Sequence, residues 1–411
     1  MTRRRPSART FFADPVEFAA GHPAGLVELS APLGRRAALV QDPDEAWRIL
    51  VTDSELFRQG KWKRRAGRFL GPTLNTLDGA AHRERRLLLQ PALDRRRVAA
   101  AAPGLRARAL AAVSTWQPGD RIRLREALDP LSLTMAGDVL LGVDLAGRAQ
   151  ELASSLATVM TSMPRLTPAL PGTRHAAALG RVRRAARSLL EEEPSDGVGS
   201  EGNLLDVLRR SSLPEEVRVG EITAFLLAAT DEPPSGLAAA FYYVALDPSV
   251  EEHLHAELDA AIAHDADAIG KAEAMPYLQA VIDESIRLLP PARHIDRCPA
   301  SAVRVGSVEL GPDTNVLISP LVLHRSGDVY DAPDVFRPGR WLGAEQSPIP
   351  RGAFVPFGAG AHTCIGESLA RSIMSVTLAS ICSRWRLVLN GDPGPPVPGR
   401  PDLEFVLERR R

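Results

Sequence analysis

The stretch FVPFGAGAHTCIG, residues 354–366, sets one cysteine among glycines directly before an apolar helical pattern. That placement restricts what the chain can build around it. Glycines at 358, 360 and 366 allow tight turns and close approach by a flat ligand. A helix N-terminus offers unpaired N–H groups and the positive end of the dipole, and both favour a thiolate on Cys364. The other two cysteines, Cys298 and Cys382, are too few and too scattered for a disulfide framework, and they read as inert packing residues. Zinc would need further ligands, which His362 alone does not supply. An iron already held in plane by a ring needs a single thiolate from the protein.

The rest of the chain shows where such a loop sits. Its 411 residues are enough to bury a core and enclose a ligand. The formal net charge is zero, so no global field draws in nucleic acid. The longest apolar stretches, near 222–230 and 236–246, are too short to span a bilayer. The N-terminal MTRRRPSARTFF lacks the apolar core of a signal peptide. These features predict a cytoplasmic protein with no membrane anchor and no nucleic-acid partner. Apolar spacing predicts helices near 78–93, 98–116, 125–142, 147–162, 174–190, 214–246, 247–261, 274–289 and 366–384. Alternating patterns predict β-rich parts near 26–41, 302–319 and 386–408. The expectation is a mainly α chain with a small β portion, one integrated domain over residues 1–411.

FGAGAHTCIG closely resembles the heme-binding loop of the cytochrome P450 family, F-x-x-G-x-x-x-C-x-G, through Phe357, Gly360, Cys364 and Gly366. Three further stretches agree in order and spacing. Glu284 and Arg287 in DESIRLL match the family's E-x-x-R pair and share one helix face. VFRPGRW resembles the meander that supplies a third member, Arg340, although Gly339 stands where a glutamate is usual. DGAAHRERRLLLQPAL resembles the helix over the heme edge. The resemblance spans about residues 26–408. It implies the P450 fold, with heme b between the long central helix and the cysteine-loop helix. It makes Cys364 the axial iron ligand and packs Phe357 on the thiolate side. It places His82, Arg86, Arg297 and His362 at the heme propionates. Residues 58–78 become a substrate-covering loop, and 160–174 the other half of the lid. Five of the eight residues from Lys61 to Arg68 are cationic, which reads as a solvated basic loop or as a contact for an anionic substrate group or a carrier protein.

The resemblance breaks in the long helix. Where the family has A-G-x-D/E-T-T, this chain reads AATDEPP. Asp231 falls on the acid, Glu232 on the usual alcohol, and Pro233 follows. Asp231 and Glu232 are the candidate catalytic, proton-handling pair. Pro233 and Pro234 remove the amide donors to the carbonyls of Ala229 and Thr230, which predicts a kink or an early helix end, and a widened groove there holding ordered water or a substrate polar group.

The resemblance implies a soluble heme-thiolate monooxygenase acting on a mostly apolar small molecule of specialised metabolism. Electrons would come from a separate ferredoxin and ferredoxin reductase, with Arg83, Arg85, Arg95, Arg96 and Arg97 forming part of the docking face. The altered helix motif motivates a second reading, an atypical heme-thiolate enzyme that uses peroxide, couples or rearranges its substrate. A third is a non-catalytic heme or carrier-binding helper.

Overall fold

A computed structural model describes residues 5–22, 25–31, 36–162, 172–192, 202–312, 314–343, 348–391 and 403–410. Most of the lid stretch expected at 160–174 lies outside the described residues. Helices dominate. The central one, Glu215–Leu246, is 32 residues long, and its middle is buried on nearly every side. A helix apolar all round has to be enclosed by others. Leu124–Ala136 runs along one side of it, and Pro276–Leu288 and the cysteine helix Glu367–Cys382 pack against it elsewhere. Gly236 makes the last contact possible, because a Cβ there would stand 2.7 Å from Met374 Sδ.

The helix does not end at the prolines: it continues through Pro233 and Pro234. The carbonyls that the prolines leave without amide donors are taken by the neighbouring helix. Ser132 Oγ donates to Ala229 O at 2.6 Å, and Arg125 Nη2 donates to Thr230 O at 3.5 Å. Arg125 also bonds the Asp231 carbonyl at 3.2 Å. With these acceptors satisfied by protein donors, the widened groove predicted at Ala229–Thr230 has no cause.

The β portion is small. One sheet runs in the order Leu26–Ser30, Arg36–Val40, Asn315–Ile318, Ile295–Pro299, Phe57–Gln59. A second pairs Arg121–Arg123, Glu404–Arg409 and Trp385–Leu389, and a third is the hairpin Val303–Val305 with Val308–Leu310. Strands 57–59, 121–123 and 295–299 escaped the sequence reading, being too short to show a period. The stretch read as a basic loop is instead the strand Phe57–Gln59 followed by the helix Lys61–Leu70.

Glu284 and Arg287 are fully buried and bonded at 2.8 and 2.9 Å. Arg340, also buried, completes the group at 2.9 Å from Glu284. The Arg337 amide and the Trp341 indole each add a bond to the same carboxylate at 2.9 Å. Burial by itself raises the Glu284 carboxyl, but these bonds outweigh it and hold the group below its ordinary range. Cys382 is buried in the apolar core, while Cys298, also buried, lies between Arg64 Nη2 at 3.6 Å and Asn315 Oδ1 at 3.7 Å.

Candidate active site

A cavity of about 650 Å³ lies between the central helix and the loop that carries Cys364. All residues assigned above to cofactor binding line it, as do both candidate acids. Its floor is the glycine-rich loop. Gly358 and Gly360 have φ of +72° and +69°, values that favour glycine. At Gly360 a Cβ would also come within 2.2 Å of Leu50 O, so only glycine lets the loop lie against the segment Arg48–Thr52. Cys364 N–H closes the turn on Phe357 O at 2.8 Å. The Phe357 ring lies under the Arg371 guanidinium, 5.0 Å away.

The helix N-terminus does not by itself make Cys364 a thiolate. Burial pushes the thiol up to about 12, helped by Glu232, and the Gly366 amide and Arg86 only partly offset this. Without a cation bonded to sulfur the group stays a thiol; a metal there would ionise it.

The residues expected at the propionates gather at one rim. The His82 and His362 rings lie 3.9 Å apart, and Arg86 Nη1 donates to Thr363 O at 2.7 Å. Gln59, which no sequence signal pointed to, organises them. It bonds His362 Nδ1 at 3.0 Å through Nε2 and accepts from Arg297 Nη1 at 3.1 Å through Oε1. Burial and the neighbouring Arg86 and Arg297 press His82 down to about 4. Burial, Arg297 and His82 press His362 to about 3. Two guanidiniums flanked by two neutral imidazoles, each with one N–H to donate, suit anions. A flat ring with two carboxylates and an iron for the thiol fits this donor set.

The opposite side is formed by the central helix and the helix Lys61–Leu70. Asp231 pairs with Arg125 Nη2 at 3.4 Å. Glu232 faces the cavity, and burial pushes its carboxyl up, with Lys63 pulling the other way. Thr230 is buried and donates to Leu226 O at 2.8 Å, outside the cavity lining. One helix hydroxyl that does line the cavity is that of Ser235, which bonds Arg125. Arg125 and Ser235 were missed because their value lies in meeting each other across two helices. Asp296 Oδ2 accepts from Trp62 N–H at 2.9 Å and so pins the helix Lys61–Leu70 to the sheet. Gly60 leaves room for this, since a Cβ there would sit 1.9 Å from the Asp296 carboxyl.

A family model described as cytochrome P450 matches residues 182–411. Cyclooctat-9-en-7-ol 5-monooxygenase of Streptomyces melanosporofaciens is 30% identical over 94% of this chain and 86% of its own length. Cyclooctatin synthase of the same organism is 28% identical over 95% and 89%, and pentalenene oxygenase of Streptomyces avermitilis 26% over 88% and 84%. Among solved structures, a 6-coordinated cytochrome P450 from Thermus thermophilus superposes with a TM-score of 0.78 at 23% identity, covering 99% of this chain and 100% of that one. The heme domain of cytochrome P450DA gives 0.84 at 20%, covering 97% and 93%. The fold is thus that of a heme-dependent oxidoreductase of the monooxygenase type. The chain belongs to the cytochrome P450 family. Its cofactor is heme, iron protoporphyrin IX. No helix among the described residues is long and apolar enough to cross a membrane.

Proposed function

We propose that this protein is a heme-thiolate monooxygenase that oxidises a mostly apolar terpenoid in specialised metabolism. The observation that carries the reading is the cavity itself, with Cys364 on the floor, a rim of two arginines and two histidines, and two acids on the central helix. Three relatives whose names refer to cyclooctatin, cyclooctat-9-en-7-ol and pentalenene support the substrate class. Cys364 would hold the iron, and His82, Arg86, Arg297 and His362 the two propionates. The bound group supplies oxygen activation, with thiolate donation favouring O–O cleavage. Phe357 and the glycine loop shield the sulfur from water. Asp231 and Glu232 hold and pass protons at their carboxylate oxygens, Asp231 steadied by Arg125.

Electrons come from a separate ferredoxin and its reductase, and the protein works in the cytoplasm as one integrated domain. Arg83, Arg95 and Arg96 are exposed and suit an acidic partner. Arg85 does not belong with them: it is 11% exposed and paired with the buried Glu221. Arg97 is half-buried.

One observation favours a second reading. Glu232 and Pro233 stand where an alcohol is usual, and Thr230 turns away from the cavity. A peroxide-driven, coupling or rearranging enzyme would not need that alcohol. Turnover of a terpenoid with ferredoxin, reductase and NADPH, compared with hydrogen peroxide alone, separates the two. Product formation only with the electron-transfer chain supports the monooxygenase. Equal or faster turnover with peroxide alone overturns it in favour of the second reading.

A further inference from the structure

Lys63 and Glu232 face the same cavity from two different helices without meeting in an ion pair. Lysine is rare in this chain, found only at 61, 63 and 271, while arginine serves elsewhere. Lys63 is half-buried, and Nζ donates one hydrogen bond, to Asn75 Oδ1 at 2.9 Å. An ammonium has three N–H donors, so two remain. Glu232 makes no hydrogen bond with any described residue. Burial lowers the Lys63 ammonium and raises the Glu232 carboxyl, and each group's charge counters the shift in the other. Asp296 adds a second carboxylate near Lys63, with one oxygen committed to the Trp62 amide. The lining includes the apolar Trp62, Ala66, Leu70, Leu74 and Phe225 beside the polar Asn75 and Thr76.

Three kinds of ligand can be weighed against this pair. A pure hydrocarbon would strip water from an ammonium and a carboxylate and return nothing. A carboxylate would meet Lys63 but would be repelled by Glu232 and Asp296. A hydroxyl accepts one hydrogen bond and donates one, which matches a donor on one side and an acceptor on the other. We propose that the substrate already carries a hydroxyl group, bound between the Lys63 ammonium and the Glu232 carboxylate. This rests on the terpenoid monooxygenase reading and narrows it. The substrate is then supplied by an earlier hydroxylation, or by a cyclisation that ends in capture of water. The enzyme performs a later oxidation on that alcohol.

Three compounds of one tricyclic skeleton test the inference: dehydroabietane, dehydroabietinol and dehydroabietic acid. Binding to the heme-loaded protein is read from the Soret shift. The wild type should bind the alcohol at least about tenfold tighter than the hydrocarbon or the acid. In Lys63→Met the alcohol should weaken by about ten- to a hundredfold, the effect of one lost hydrogen bond to a charged group. The hydrocarbon should bind unchanged or better. In the double variant Lys63→Met, Glu232→Gln, the hydrocarbon should bind at least as tightly as the alcohol. Equal binding of all three by the wild type overturns the inference and leaves the terpenoid reading standing. So does a Lys63→Met protein that keeps its preference for the alcohol. Loss of heme from Lys63→Met also overturns it, by assigning the ammonium to a propionate. If none of the three binds, the terpenoid reading fails and this inference with it.

Discussion

Ser132 and Arg125 supply the central helix with donors that two prolines cannot. Ser132 is buried, and the Ala229 carbonyl is its acceptor. Ser132→Ala leaves that carbonyl unpaired and should cost about 1–3 kcal/mol in urea unfolding. In a Pro233→Ala background the restored amide reaches the same carbonyl, so Ser132→Ala should then cost clearly less. Equal costs in both backgrounds would show that the hydroxyl is no replacement for the amide. Cys364 is the other residue with a sharp test. Cys364→Ser should abolish the thiolate-type spectrum of the reduced carbon monoxide complex, whereas Cys298→Ala and Cys382→Ala should keep it. Asp231→Asn should slow ferredoxin-driven turnover at least about tenfold, since a proton donor must be within hydrogen-bond reach.

Two joints between elements carry predictions of their own. His324 is fully buried and bridges the end of the helix Pro276–Leu288 to the strand-like approach to the cysteine loop. Its Nδ1 meets Arg287 O at 3.2 Å, and its Nε2 accepts from the Val355 amide at 3.0 Å. The ring must be neutral to accept there. Burial presses it from 6.5 to about 3. The unfolded chain therefore binds the extra proton first. The stability this group contributes is complete above pH 6.5, falls as pH drops towards 3, and is flat below. Glu284, held below 4.5, adds a further loss as pH falls beneath that value. Urea midpoints measured from pH 7 to 4 should fall in the wild type and fall less steeply in His324→Gln. The second joint is Gly60 against Asp296. Gly60→Ala forces the carboxylate away and breaks its bond to the Trp62 amide. The helix Lys61–Leu70 should shift, weakening substrate binding more than heme content; loss of heme with binding spared would contradict this.

At the scale of the whole molecule, Glu284 accepts two bonds from Arg287 on its own helix and three from Arg337, Arg340 and Trp341, and these three tie the helix to the meander. Glu284→Ala strands Arg287 and Arg340 as buried cations, which costs about 3–5 kcal/mol. The heme-to-protein ratio should collapse; a fully loaded variant with merely slower turnover would contradict this. The parts of this architecture that the sequence determined are those written at short spacing. The glycine loop around Cys364, the pair Glu284 and Arg287, and Asp231 in its helix each need only neighbours in the chain, because turn geometry and helix periodicity are local. Tertiary structure decided what depends on distant partners. Gln59 reaches His362 across 303 positions, and Ser132 reaches Ala229 across 97. The prolines by themselves predicted a kink or an early helix end, while donors on another helix take the carbonyls they strand. The glycine loop by itself favours a thiolate, while burial by the whole fold opposes it unless a metal binds the sulfur. Lys63 reads as surface charge in a basic run and becomes a cavity residue only once its helix is pinned to Asp296. Local sequence states which bonds a residue is able to make; only the packed chain states which partner is near enough to make them.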